Sequence, residues 1–264
     1  MSDAALWPTG VEVTWLDDID DGQRNMDLDV LLGEQVGRGE RPPMVRIWRG
    51  PVKTGIGLSK KDVATDAGRA AQAALQAEGC TVVVRQTGGT AVPQGPGVVQ
   101  VSYLFRRPAT PATTDAFYRL LCDPLMQWLR SLGLAAETGE LPGSYCDGRY
   151  NVLVGGKKLI GTAQAWRGGL AGMASSRPGY VLAHGCIAVD ADMDWMVAQM
   201  NRFYELAGNP YRVDRATAVT LRDLLPGTLA GMDEQAAGTW AAQSLVSFFR
   251  TWRPSRENEG PGRG

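Results

Sequence analysis

The hydrophobic positions along the chain change period several times, and each change marks an element. After a lead-in from Asp17, the stretch to Leu32 takes a helical period, and MVRIWRG at 44–50 alternates as a strand does. Ser59 with Asp62 three residues on has the form of a capping box, placed before an Ala-rich helix that ends near Gly79. TVVVR at 81–85 and Val98 to Phe105 are β-branched or alternating runs separated by a loop, TGGTAVPQGPG. Phe117, Leu121, Leu125, Trp128 and Leu132 recur every three or four residues and form one helix face, with Pro124 bending it or loosening its preceding turn.

Tyr150 to Val154 and Lys158 to Trp166 flank Gly155-Gly156, the pattern of a tight hairpin. Tyr180 to Val189 is extended, and an Asp-rich cap then opens a helix to about Tyr204 with Met196, Met200, Phe203 and Ala207 on one side. A last helix, near Glu234 to Trp252, docks through Trp240, Leu245 and Phe248 or Phe249, and the tail SRENEGPGRG is expected to be disordered. Strands that occur both as hairpins and between helices predict an α/β (α+β) fold, a mixed and largely antiparallel sheet flanked by helices. One domain over 1–252, followed by a tail at 253–264, is the expected organisation.

Composition narrows the function. A chain of 264 residues with 44% hydrophobic content can bury a large core. With 27 Lys plus Arg against 28 Asp plus Glu, and no block of one sign, the charge pattern points to neither nucleic acid nor an anionic membrane as partner. The N-terminus lacks the basic start and apolar run of a signal peptide, and no apolar run reaches a membrane span, so a cytoplasmic location is expected. Cys80, Cys122, Cys146 and Cys186 show no CxxC pairing, and with a single histidine no metal site is expected, so they read as free thiols.

Five places can carry chemistry. In the loop from Thr87 to Gly97, Gly88 and Gly89 would let backbone approach a ligand, although a purely structural turn accounts for them equally well. The loop is neither a Walker A sequence nor a GxGxxG fingerprint. Cys146, in Pro142-Gly143-Ser144-Tyr145-Cys146-Asp147-Gly148, sits among turn formers that should keep it near the surface, whereas Cys122 and Cys186 fall on elements and read as core. Lys158 alternates with Ile160, Thr162 and Gln164, and on a pocket-facing strand its ammonium can meet an oxygen that gains charge; an ordinary hairpin shoulder is the plainer reading. His184 alternates with Leu182 and Cys186, and is either a satisfied buried histidine or a base for Cys146. Arg85 ends its strand facing a carboxylate, a phosphate or water.

Together the runs VVVRQTGGTAVPQGPGVVQVSYLF at 82–105, GELPGSYCDGRYNVLVGGKKLIGTAQAWRGG at 139–169 and VLAHGCIAVD at 181–190 resemble the lipoate-attachment superfamily of lipoate-protein ligases, octanoyltransferases and biotin ligases. They cover about the central half of the chain. The likeness is strongest to the cysteine-dependent octanoyl-[GcvH]:protein N-octanoyltransferases, where a SYC-x-G loop precedes a YxLxxxGKKxxG hairpin. The resemblance implies a mixed sheet flanked by helices, Cys146 as acyl acceptor and Lys158 beside the acyl carbonyl; His184-Gly185 resembles the histidine-glycine pair of the acyl-carrier-protein-dependent transferases, and His184 is the third catalytic candidate. It places Arg85, Thr87, Gly88, Gly89, Thr90 and Ala91, with Tyr150, Gly161, Thr162 and Ala163, around the acyl or substrate pocket.

The implied reaction moves an octanoyl or lipoyl group from glycine cleavage H protein or acyl carrier protein to a lysine of a lipoyl domain, that of H protein or of 2-oxoacid dehydrogenase E2. No cofactor is required, and an apolar tunnel should take the acyl chain. Ligases that use ATP and Mg usually carry Arg-Arg-x-Ser-Gly-Gly-Gly and a following His-Asp pair; here Arg85-Gln86-Thr87-Gly88-Gly89 and Pro93-Gln94 stand at those places. An ATP-dependent lipoate or biotin ligase is the rival enzyme, and a lipoyl-domain binding module the rival non-enzyme.

Overall fold

The computed structural model describes residues 3–16, 21–169, 173 and 178–254. Seven strands form the main sheet: β1 (Glu12–Leu16), β2 (Met44–Arg49), β6 (Val98–Arg106), β7 (Ala136–Gly139), β8 (Asn151–Val154), β9 (Lys157–Trp166) and β10 (Tyr180–Ala188). Their spatial order is β1-β2-β6-β10-β9-β8-β7; β1 and β2 run parallel, and every other pair is antiparallel. A second sheet of β3 (Gly55–Ser59), β4 (Thr81–Arg85) and β5 (Val92–Gln94) has order β4-β3-β5, with β3 and β4 parallel. The helices are α1 (Gly22–Arg38), α2 (Asp66–Ala77), α3 (Thr114–Ser131), α4 (Met193–Leu206), the one-turn α5 (Leu221–Leu224) and α6 (Glu234–Thr251).

The period of two in the central strands sorts residues onto two faces of different chemistry. Val45, Ile47, Val99, Val101, Tyr103, Phe105, Val181, Ala183 and Ile187 face α3 and α6, whose Phe117, Leu121, Leu125, Trp128, Leu245 and Phe249 complete the main core. The opposite face carries a row of polar side chains. Cross-strand partners align Arg46 with Ser102, Ser102 with His184 and His184 with Ala163, and the next row aligns Trp48, Gln100, Cys186 and Gly161. On this face α1 packs by Leu32 and Val36 against Met44, Leu104, Tyr180 and Leu182, while the small sheet packs with α2 and α4 as a second core. The chemistry of the molecule therefore collects where the small sheet meets the polar face of the large one.

The mixed, mainly antiparallel sheet expected from the sequence is present, and the Gly155-Gly156 hairpin has φ of +58° and +73° at its two turn residues, as a type I′ turn requires. Helix α3 runs unbroken through Pro124. Two local expectations change. Asp62 does accept from the Ser59 backbone N–H and hydroxyl, at 2.8 Å each, but this closes a turn after β3; α2 starts seven residues later, capped by Thr65. The expected helix toward Leu32 begins at Gly22, capped by Asp21, and continues to Arg38. Residues 17–20 of its lead-in, and the tail from 255, lie outside the described residues.

Candidate functional site

The SYC loop joins β7 to β8 and is drawn inward. Ser144 and Tyr145 are fully buried and Cys146 is 7% exposed, which corrects the surface position expected from the turn formers around it. Those residues shape the loop, but the second core covers it. Tyr145 packs there, and the Tyr211 hydroxyl donates to the Ser144 carbonyl. Cys146 adopts φ +45°, the left-handed region that costs a side-chain-bearing residue roughly 1 kcal/mol. Among the described non-glycine residues no other has positive φ, and strain held by its surroundings is a recurrent property of functional positions.

The glycine-rich loop supplies those surroundings. The Cys146 backbone N–H donates to Thr90 Oγ1 at 2.9 Å, and the neighbouring Ala91 N–H donates to the Tyr204 hydroxyl at 2.6 Å. Arg85, 2% exposed at the end of β4, sends Nη1 to Thr87 Oγ1 at 2.9 Å and Nη2 to the Thr90 carbonyl at 2.6 Å; Nη2 also lies 3.4 Å from Cys146 Sγ. Arg85 thus turns inward to the sulfur and does not face solvent at the end of its strand.

Lys158 reaches the same loop by an irregularity. Val152 pairs with Ile160 but Leu153 pairs with Lys158, so Leu159 is an extra residue that bulges β9. Leu159 and Ile160 both enter the main core, and Lys158 is turned to the polar face beside Gly161. The uninterrupted alternation of Lys158 with Ile160, Thr162 and Gln164 is therefore broken. Lys158 is fully buried; its Nζ donates to the Tyr145 carbonyl and, at 2.8 Å, to that of Cys146, and lies 4.3 Å from the centre of the Tyr145 ring. Burial pulls its pKa down to about 8, against the opposing pull of Cys146, Cys186 and Asp147. A Cβ on Gly161 would stand 3.2 Å from Lys158 Cε, so that glycine makes room for the lysine.

Cys146 opens on a cavity of about 290 Å³, shared with Gly88, Gly89, Tyr118, Asp147, Tyr150, Thr162 and Ala163. Tyr150 stacks on Tyr118 with ring centres 4.8 Å apart, and Thr162 Oγ1 donates to the Tyr150 carbonyl. Asp147 feels burial pushing its carboxyl up, but the Leu141 N–H, the Asn151 amide and the Gly148 N–H together hold it below the usual range. Its wall mixes Asp147, Thr162 and Gln164 with the Tyr118 and Tyr150 rings and Ala163, and so differs from the wholly apolar tunnel expected for an acyl chain. Ala91, fully buried in the second core, lies behind the wall, as does Gly161. A larger hollow, about 480 Å³ between α1 and the start of β10, includes Gln86 and Arg167 but neither Cys146 nor Lys158.

His184 belongs to another network. Its Nδ1 is 3.4 Å from Ser102 Oγ and 4.0 Å from Asp29 Oδ2, and no hydrogen bond joins it to Cys146. Ser102 donates to Asp29 Oδ2 at 2.6 Å and accepts from Trp48 Nε1 at 3.1 Å; Arg46 donates to Asp29 Oδ1 at 2.7 Å and also bonds Asn25. The pairing of His184 with the cysteine thiol is thus replaced by a buried polar cluster with α1. Burial pulls the imidazole down to about 4, so the native state leaves it neutral while an unfolded chain protonates near 6.5. Between pH 6.5 and 4 the unfolded state binds the extra proton, and stability falls as pH falls, by up to about 3 kcal/mol from this residue. Urea midpoints at pH 7 and 4.5 are expected to drop less in His184→Gln than in the parent; equal drops would refute the assignment.

Burial raises the Cys80 and Cys186 thiols to about 11 and Cys122 higher still, which disfavours all three as nucleophiles. Sequence reasoning missed Asp29, Ser102, Arg46, Tyr204 and Tyr211. A signal existed for some of these: Arg46, Gln100, Ser102 and His184 interrupt apolar strands at even spacing, which puts them on one face.

Comparison with known proteins agrees with this architecture. The chain is 38% identical over 200 residues to an octanoyl-[GcvH]:protein N-octanoyltransferase of Kyrpidia tusciae, covering 75% of this chain and 67% of that one. A Geobacillus kaustophilus protein of the same name is 30% identical over 235 residues, covering 88% and 76%. The crystal structure of lipoate-protein ligase A bound with ATP shares the fold, with a TM-score of 0.58 at 20% identity over 90% of this chain and 84% of that one. The family model for the lipoyl protein ligase A/B catalytic domain matches residues 21–237. With residues 21–237 matched, most of its length, the chain belongs to the lipoyl protein ligase A/B catalytic domain family.

Proposed function

We propose that this protein is an acyltransferase that carries an octanoyl group through a Cys146 thioester onto a lysine of a lipoyl domain. The observation that carries the reading is Cys146 Sγ, buried in a left-handed loop, open to a cavity and 3.4 Å from a guanidinium. By likeness to the relatives' names, the donor is octanoyl-H protein, ahead of acyl carrier protein, and the acceptor is a second lipoyl domain such as that of 2-oxoacid dehydrogenase E2.

In the first step the sulfur attacks the amide carbonyl of the donor. A C–S bond forms, the C–N bond breaks, and the donor lysine leaves as an amine after its nitrogen takes up one proton, from the thiol or, where the sulfur is already ionised, from solvent. In the second step the acceptor amine attacks the thioester, a new C–N bond forms, the C–S bond breaks, and the amine gives up one proton to the sulfur or to solvent. The first exchange is uphill and the second downhill by the same chemistry. An amide replaces an amide overall, so the transfer needs no ATP. Lys158, with two of its N–H groups on the Tyr145 and Cys146 carbonyls, fixes the loop and keeps positive charge beside the reacting centre.

Gly88, Thr162 and Ala163 line the approach to the sulfur. The reaction is assigned to the cytoplasm, in keeping with four cysteines that are all unpaired. Among the described residues no helix is long and apolar enough to cross a membrane.

Incubation with octanoyl-H protein and, separately, with octanoyl-acyl carrier protein, followed by intact mass analysis, tests the donor. An octanoyl adduct on the parent from the H protein, absent from Cys146→Ser, is expected. Acylation of the acceptor only when ATP and free octanoate are supplied would overturn the reading in favour of a ligase.

A further inference from the structure

We propose that Arg85 is a catalytic residue whose guanidinium is the fixed counter-charge of the Cys146 thiolate, and that position 89 is glycine so that the two can meet. The inference rests on Cys146 as the nucleophile and assigns a chemical role to a side chain that the sequence suggested only as pocket wall or as the end of a strand facing an anion or water.

The argument begins with an unbalanced charge. Arg85 is 2% exposed, and no carboxylate lies within ion-pair distance of it among the described residues; its acceptors are Thr87 Oγ1, the Thr90 carbonyl and Cys146 Sγ, and its Nε has no partner. The buried Arg46 shows the usual alternative, with Asp29 at 2.7 Å. A buried cation without an anion costs several kcal/mol, and arginine cannot relieve that cost by losing its proton. Lys158 can, since burial has brought it down to about 8. Arg85 is then the permanent cation of the site, and a negative sulfur supplies the missing anion.

The glycine loop is built around this contact. A Cβ on Gly89 would collide with Cys146 Sγ and stand 2.7 Å from Arg85 Nη2, and its φ of +101° also disfavours any side chain. Gly88, by contrast, has open space around it. The first glycine borders the cavity, and the second makes room for the arginine to touch the sulfur. During transfer the sulfur loses its charge as the C–S bond forms and the carbonyl π pair moves onto oxygen. The oxyanion is two bonds from the sulfur that Nη2 contacts, so the same guanidinium can serve charge on either atom in turn.

Alkylation of Cys146 at pH 7, read by intact mass, tests the contact without using any acyl donor. The measured quantity is the rate ratio of anionic iodoacetate to neutral iodoacetamide, which a fixed cation raises and which a mere loosening of the loop leaves unchanged. Arg85→Gln is expected to lower this ratio about tenfold, equivalent to about 1.4 kcal/mol, with Arg85→Lys retaining most of it. Gly89→Ala, which drives the two side chains apart, is expected to lower it as well. An unchanged ratio in whichever of Arg85→Gln and Gly89→Ala folds would overturn the proposal. A lowered ratio in a protein that fails to form any octanoyl adduct would keep the ion pair and reject octanoyl transfer.

Discussion

Cys146→Ser is expected to lower octanoyl transfer at least ~10³-fold while leaving the fold intact, because it removes the proposed nucleophile and changes little else. Serine is close to cysteine in shape, can keep the N–H bond to Thr90 Oγ1, and occupies the same left-handed loop. Its hydroxyl ionises far less readily than a thiol, so Arg85 and Lys158 cannot raise it to comparable reactivity. Thermal melting within a few degrees of the parent, together with lost turnover, is the expected pair of results. The Cys122 thiol, packed in the main core and forced into its neutral form by burial, gives the control: Cys122→Ala should keep transfer and cost stability. Full activity in Cys146→Ser would remove the covalent step.

Asp29→Ala should produce the largest loss of stability, about 3–5 kcal/mol, because it leaves the fully buried Arg46 guanidinium without its carboxylate. Ser102 loses its acceptor at the same time, and His184 loses the carboxylate that opposes its desolvation. Urea unfolding would show this as a lowered midpoint with little change in slope. The double variant Asp29→Leu with Arg46→Met removes both charges and should recover much of the loss, since a buried pair is often no better than an apolar one. A single-variant loss below about 1 kcal/mol would mean that water or another group reaches Arg46.

Much of the frame was legible where one period held over many residues. α3, α4 and α6 each bury most of the apolar stripe read from the sequence, with Leu132, Ala207, Trp240 and Phe248 only partly covered, and β4, β6, β8, β9 and β10 lie within a residue or two of the runs that mark them. The missed strands have physical reasons. In β3, GIGLS, Gly55 and Gly57 weaken the propensity signal, yet both are small because β4 and β5 pass close: a Cβ on Gly55 would collide with the Thr81 carbonyl, and one on Gly57 would stand 3.0 Å from the Val92 side chain. β5 contains Pro93 and only three residues, so it read as part of the glycine loop. β1 and β7 are edge strands of the large sheet, without the fully apolar runs of its centre.

At the site, residue identities were readable and their mutual geometry was not. Cys146, Lys158 and Arg85 do converge on one loop, but the reason Lys158 reaches it is a bulge at Leu159, which depends on cross-strand pairing and not on local sequence. Turn formers around Cys146 predict a loop; whether that loop is covered depends on Tyr204 and Tyr211, more than fifty residues away. His184 illustrates the same limit from the other side. Its strand placement was correct, and Asp29 on a distant helix decides what it bonds.

Rapid-quench mass analysis of a single turnover, with octanoyl-H protein as donor and an E2 lipoyl domain as acceptor, follows the sulfur itself. The expected record is an octanoyl group that appears on Cys146 before the acceptor is modified and then leaves it at a rate no slower than product forms. Octanoylated acceptor accumulating while Cys146 stays unmodified throughout would contradict the account.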